Sequence, residues 1–292
     1  MTALATRPTT APGRRSALRT LAGLEARRYA LHPLFVAGVL LLTVFTVQAA
    51  YDLATGTIEP TWFGGGDLVV MPAFFLGMVG VLVANQLTRS LSRSAEAVAP
   101  SPADGLTRTA ALCLACLVPG AAAVVWLTWT FVAQTLWTIP PTSVPPADTV
   151  AILCAGVVCA VGGPLLGVLV GRWTAVPGAG ILTFVLLYAW VGVASIGGST
   201  MAASHLSNLV SLATPFTLWT SGGAGAAFMG GSPGWYLLFL TTLCGLAAAA
   251  ALWHEARGAS RARLGRTLVV LGLLAAAGLL LAAAADPARI PL

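Results

Sequence analysis

Two groups of residues in this chain have types and spacings that could do chemistry. Cys113 and Cys116 stand in a C-x-x-C pair, and Ser195, Ser199 and His205 lie close together in sequence. A C-x-x-C pair can exchange disulfides or hold a metal when neighbouring groups stabilise the thiolate. Here it sits in an Ala/Leu run with no histidine or acid beside it. The five cysteines, with Cys154, Cys159 and Cys244, therefore read as small apolar packing residues. A serine nucleophile needs a histidine base within hydrogen-bond reach. His205 falls in an expected interfacial helix and Ser199 in a Gly-Gly-Ser turn, which does not bring the pair together. The chain has no H-E-x-x-H sequence, no paired acids and no G-x-x-x-x-G-K-[ST] phosphate loop. No catalytic, cofactor-binding or metal-ligating residue is nominated.

The elements around these residues explain why the chemistry is missing. With 58% hydrophobic and 8% charged residues, most of the chain cannot be a water-soluble domain. A lipid core about 30 Å thick requires roughly 20 apolar helical residues. Seven stretches qualify: Leu34–Ala50, Leu68–Thr88, Thr109–Trp137, Thr149–Val170, Pro177–Ile196, Gly234–Trp253 and Thr267–Ala285. No Asp, Glu, Lys, Arg or His lies inside them. Ion-coupled carriers usually place an ionisable group at that depth, although sodium coupling through backbone carbonyls needs none. The expected fold class is all-α, a polytopic transmembrane bundle.

Fourteen of the fifteen arginines fall in segments that one topology places inside the cell: Arg7 to Arg28, Arg89, Arg93, Arg108, Arg172, and Arg257 to Arg266. Asp52, Glu59, Asp67 and Asp148 fall outside. The net charge of +6 is thus one-sided, as topology and anionic lipid require, and nothing in it suggests nucleic acid. The N-terminus is expected in the cytoplasm and the C-terminus outside. The first 30 residues are polar and basic, unlike a cleavable signal peptide.

The segments between spans carry the rest of the information. Residues 1–15 form an arm expected to be disordered. From Ser16, a plausible cap, to Leu31 the chain reads as a helix stopped by Pro33. Glu25, Arg27 and Arg28 lie on it, with Arg28 snorkelling toward headgroups. It is either an interfacial elbow helix or an ordinary basic flank. The connection 89–108 contains Arg89, Arg93, Glu96, Pro100, Pro102 and Arg108, with a short helix expected over Leu91–Val98 and a turn at Pro102 and Asp104. It is longer than two helices need, so it is a docking surface or a solvated linker. Thr109–Trp137 is 29 residues, long for a bilayer core at about 1.5 Å each, and Pro119 should kink it. Gly163, Gly167 and Gly171, beside Pro164, allow close helix approach within the subunit or across a dimer. The stretch 198–233 has no charge and reads as interfacial helices tucked against the bundle, one of them ended by Pro215 and the rest running apolar through Phe216–Phe228. Trp126, Trp129, Trp137, Trp219, Trp235 and Tyr236 are expected in an outer aromatic belt.

This order of parts resembles the permease subunit of a type-2 ABC exporter. The resemblance rests on Leu24–Pro33, on the loop from Leu87 through Pro100 and Pro102 to Arg108, and on Ala213–Phe216. It covers about Ala17 to Trp253, so residues 16–253 would form the permease core. Residues 254–292 would be a basic loop and an additional span beyond the family's six. The resemblance implies an elbow helix, a coupling loop at 89–108 docked on a separate ATPase subunit that carries the ATP and Mg, and pairing with a second copy or a sibling permease. The chain itself would be non-catalytic. Its all-arginine basic set suggests a high-GC genome, and the implied location is a bacterial plasma membrane. The rivals are a membrane anchor or sensor, a stand-alone secondary carrier or channel, and an integral membrane enzyme.

Overall fold

The computed structural model describes residues 14–55, 70–93, 104–136, 146–174, 176–200 and 231–285, with parts of 209–228. The described chain is helical except for one two-residue ladder. Helix α1 spans Arg14–Ala30 and α2 spans Pro33–Ala54. A π-helical segment, Ala73–Met78, leads into α3, Val79–Arg93. Then follow α4, Gly105–Ala115; α5, Leu117–Leu136; α6, Pro146–Trp173; and α7, Ala179–Thr200. Strands β1, Thr220–Ser221, and β2, Ala227–Phe228, pair antiparallel. Helices α8, Pro233–Glu255, and α9, Gly258–Ala284, close the chain.

Among the described residues six stretches are long and apolar enough to cross a bilayer: Pro33–Asp52, Val70–Ser90, Gly105–Thr130, Val150–Trp173, Pro233–Glu255 and Gly258–Ala284. Within α7 the described side chains give an apolar stretch over Ala179–Val193. In lipid every backbone N–H and C=O must be bonded within the protein, which a continuous helix achieves. The chain is a multi-pass helical membrane protein.

α6 is the central helix, touching the π segment, α3, α5, α7 and α8. It lies parallel to α3, and its glycine row forms the seam. Side chains at Gly163 and Gly167 would collide with the carbonyls of Gly77 and Val81, and one at Gly171 would meet Thr88 at 2.9 Å. Asn85 donates its side-chain amide to the Gly167 carbonyl at 3.3 Å, and Thr88 Oγ1 donates to the Ala84 carbonyl at 2.7 Å, so both polar side chains at this seam are satisfied. The row therefore packs within the subunit. Gly38 of α2 stands similarly against the Phe75 carbonyl of the π segment.

Several expectations need correction. Helix α1 begins at Arg14, so Ser16 lies inside it and does not cap it. The third span is two helices that part at Cys116. The cause is Pro119: it cannot donate to Ala115, four residues back, and its ring crowds that carbonyl. Leu91–Arg93 are the last turn of α3 and not a separate helix; residues 94–98 lie outside the described set. Trp126 and Tyr236 are buried and not in a belt. The Trp126 indole donates to Thr46 Oγ1 at 2.9 Å, whereas Trp129 and Trp235 are exposed, and Trp137 and Trp219 lie outside the described residues. Thr220–Ser221 and Ala227–Phe228 form a ladder where an apolar helical run was expected. Residues 254–266 are not a loop. α9 starts at Gly258, so Arg261, Arg263 and Arg266 are helical. α9 packs along α8 and shares a buried cluster with the core through Ala275, Ala282 and Ala283.

Candidate functional site

Alternating helix directions bring the ends of α3, α6 and α8 and the starts of α4 and α9 to one end of the bundle, where α1 lies. α1 leaves α2 at Leu31–His32 and packs chiefly on α4. Pro33 starts the next helix with its preset φ, and His32 Nδ1 accepts from the Leu34 N–H at 3.3 Å.

Tyr29 anchors this contact. Its ring is 1% exposed, meets Phe35 edge-on at 5.3 Å, and shares a cluster with Leu76, Leu112 and Cys116. Its hydroxyl reaches between α3 and α6: a side chain at Gly80 would come within 2.7 Å of it and 2.5 Å of Pro164. The hydroxyl has no hydrogen-bond partner among the described residues. Burial pushes the phenol well above its ordinary pKa, so it stays neutral. Glu25, also buried, accepts from Arg28 at 3.1 Å, and the same guanidinium donates to Ser90 Oγ of α3 at 3.3 Å. Arg28 therefore turns to α3 instead of standing free at the headgroups. Its side chain is 47% exposed, so the ion pair contributes at most about 1 kcal/mol. Packing of Tyr29 holds α1, and Arg28 sets its register.

A second contact lies beside it. Glu255, at the end of α8, receives Arg172 Nη1 from the end of α6 at 3.4 Å and faces His254 Nδ1 at 3.5 Å. Its other oxygen lies over the first turn of α4, where a side chain at Gly105 would come within 2.6 Å of it. A carboxylate suits the positive end of a helix, and an arginine suits the C-terminal end of another. Asp104 adds to this by accepting from the Thr107 N–H at 2.8 Å, capping α4. The start of α4 is thus held by α1 on one side and by Glu255 on the other.

Of the expected coupling residues, the structure places Arg89 and Arg93 on the last turns of α3, and Arg108 on the first turn of α4, half-buried. Glu96, Pro100 and Pro102 lie outside the described residues. Glu25 and Arg28 meet α3 as described, and Arg27 is exposed. Sequence reasoning passed over Tyr29, Ser90 and Glu255. No charge pattern singles out Glu255, since Glu25, Glu96 and Asp104 also fall in the arginine-rich segments.

Among the described residues no group of three or more His, Cys, Asp or Glu is placed to hold a metal ion. Cys113 and Cys116 are unpaired, and the Cys116 thiol bonds back to the Leu112 carbonyl. These contacts tie α1 to the helices that flank the connection 94–103. No family model, curated protein or solved structure matches this chain.

Proposed function

We propose that this chain is the membrane-spanning permease subunit of an ATP-driven, type-2 ABC-like exporter, oriented with α1 in the cytoplasm. The observation that carries the reading is the double attachment of α1, packed on α4 through Tyr29 and bonded to α3 through Arg28 and Ser90. These two helices flank the connection 94–103. A force applied there by a soluble motor would reach α1, α3 and α4 together, and through Tyr29 the centre of α6.

A second feature fits the same reading. Between α7 and α8 the chain returns into the bundle, with Leu212, Thr214 and Phe216 all buried. Irregular backbone is tolerated at membrane depth only where protein or a water-filled cavity surrounds it. Exporters of this kind interrupt that same connection. In this reading the chain hydrolyses no ATP itself, pairs with a second permease copy or a sibling subunit, and passes its substrate along their interface. α7 makes a seventh crossing, which leaves the C-terminus outside.

Reconstitution with an ATPase from a neighbouring reading frame tests this. The two should co-purify, and vesicles holding both should turn over ATP faster than the ATPase alone. Robust hydrolysis by this chain, free of other ATPases, contradicts the proposal. Labelling single cysteines at positions 2 and 291, in a background lacking the five native ones, reads the orientation. Position 2 should react only after permeabilisation, and position 291 without it.

A further inference from the structure

Where α6, α8 and α9 meet at the arginine-rich end, the contact is aromatic. Trp173, the last residue of α6, stacks on Trp253 of α8 with centroids 5.8 Å and planes 19° apart. Its indole N–H donates to the Ala250 carbonyl at 3.1 Å. The Arg261 guanidinium of α9 lies 4.4 Å from the Trp253 ring centroid, within cation–π range. Gly265, one turn further along α9, faces the same indole, where a side chain would meet Trp253 Nε1 at an ordinary contact distance of 3.6 Å.

Among the described residues Arg261 is therefore positioned by a ring face and not by a carboxylate. Glu255, the acid nearest in sequence, is already engaged by Arg172 and His254. A guanidinium lying on an aromatic face keeps the N–H donors along its edge available, in the planar fork that suits a phosphate. Arg257, which precedes α9, adds an exposed positive charge one turn away. The apolar stretches of α6 and α8 end at Trp173 and Glu255, so the group sits where hydrocarbon gives way to headgroups. Trp173 is half exposed there, and Val269, Val270 and Leu273 offer an exposed apolar surface further along α9.

We infer that Arg261, held on Trp253, and Arg257 bind the phosphate of an anionic phospholipid, whose acyl chains lie along α9. Charge complementarity selects the headgroup, and the tryptophans fix its depth. In the orientation proposed above, and resting on it, this lipid lies in the cytoplasmic leaflet.

Native mass spectrometry tests the site, using chain released from nanodiscs of equal phosphatidylcholine and phosphatidylglycerol. The wild type should retain phosphatidylglycerol in preference. The double variant Arg257→Gln/Arg261→Gln should lose that preference by about tenfold. Arg263→Gln/Arg266→Gln removes the same charge from the same helix and should retain it. Trp253→Leu, which keeps every arginine, should weaken it too. Melting in pure phosphatidylcholine shows whether each variant is folded. Equal loss in both arginine pairs would mean a diffuse surface charge and no site, and unchanged retention in the first pair would likewise overturn the inference. Displacement of the lipid by millimolar glycerol phosphate would also overturn it, by showing a site for a soluble anion.

Discussion

The ring of Phe216 occupies the space in which a side chain at Gly162 would begin. Gly162 lies in the middle of α6, and Cys244, whose sulfur borders the same space, lies in the middle of α8. A segment that enters from the opposite end of the bundle to α1 thus reaches the centre of the membrane. Phe216 has φ +57°, a conformation that a bulky residue adopts only when its surroundings enforce it.

This seat makes Gly162→Ala an informative substitution. Alanine normally stabilises a helix interior relative to glycine by about 0.5–1 kcal/mol. Here it should lower the melting temperature of the detergent-purified chain, because the Phe216 ring blocks the methyl group. Phe216→Ala should cost about 3–5 kcal/mol. Combining Phe216→Ala with Gly162→Leu should cost less than the sum, since the new side chain fills the vacated space. Strict additivity would mean that the two residues do not touch.

The glycine seam between α3 and α6 should respond in the same sense. Gly163→Ala and Gly167→Ala push methyl groups against backbone carbonyls that cannot swing aside, and overpacking of this kind costs about 1–3 kcal/mol. Gly192→Ala in α7 meets nothing within 4 Å and should be neutral or slightly stabilising. Melting curves of the three variants decide it, and a uniform response would contradict the seam.

Much of this bundle was legible in the residues, for reasons that differ by element. Spans are set by uninterrupted apolar length, a local property, and six of the expected stretches reappear, four with ends moved by a few residues and two, the third and the last, with an end displaced by about two turns. Close approach at Gly163, Gly167 and Gly171 follows from their spacing. The partner of that face, the π segment and α3, does not, because contact between distant helices is not encoded in either alone. The break at Cys116 is displaced from Pro119 because proline disrupts the turn before it. Glu255 and Tyr29 escaped notice since their roles arise only when α1, α4, α6 and α8 are brought together. The ladder at Thr220–Phe228 was read as a helix because an apolar, glycine-rich run has no decisive period.

Removing one member of the Arg172–Glu255 pair should loosen the start of α4. Both side chains are largely shielded, 11% and 25% exposed, so Glu255→Gln leaves a guanidinium with a weaker acceptor. A loss of about 1–3 kcal/mol is expected. The exchanged pair Arg172→Glu/Glu255→Arg should recover only part of it, because the new glutamate then stands at the negative end of α6 and the new arginine over the positive start of α4. Thermal melting combined with protease protection of the 94–103 connection measures both. Full recovery would show that the helix-end charges contribute nothing.

The account depends most on whether the connection between α3 and α4 passes force from an ATPase into the bundle. Glu96 is the only acid between Arg89 and Pro102, and it would meet a basic or polar groove on the motor. Reversing it to arginine replaces an attraction with a repulsion. Losing one member of a buried interfacial charge pair costs about 2–5 kcal/mol, and a rim pair far less. The decisive measurement is ATPase co-purification together with transport-linked ATP turnover, for wild type and Glu96→Arg at equal membrane expression. The prediction is an inserted, folded variant that holds its ATPase poorly or fails to stimulate it. Unchanged values for Glu96→Arg, and again after Ser92–Val98 is replaced by a Gly/Ser linker, would contradict the account.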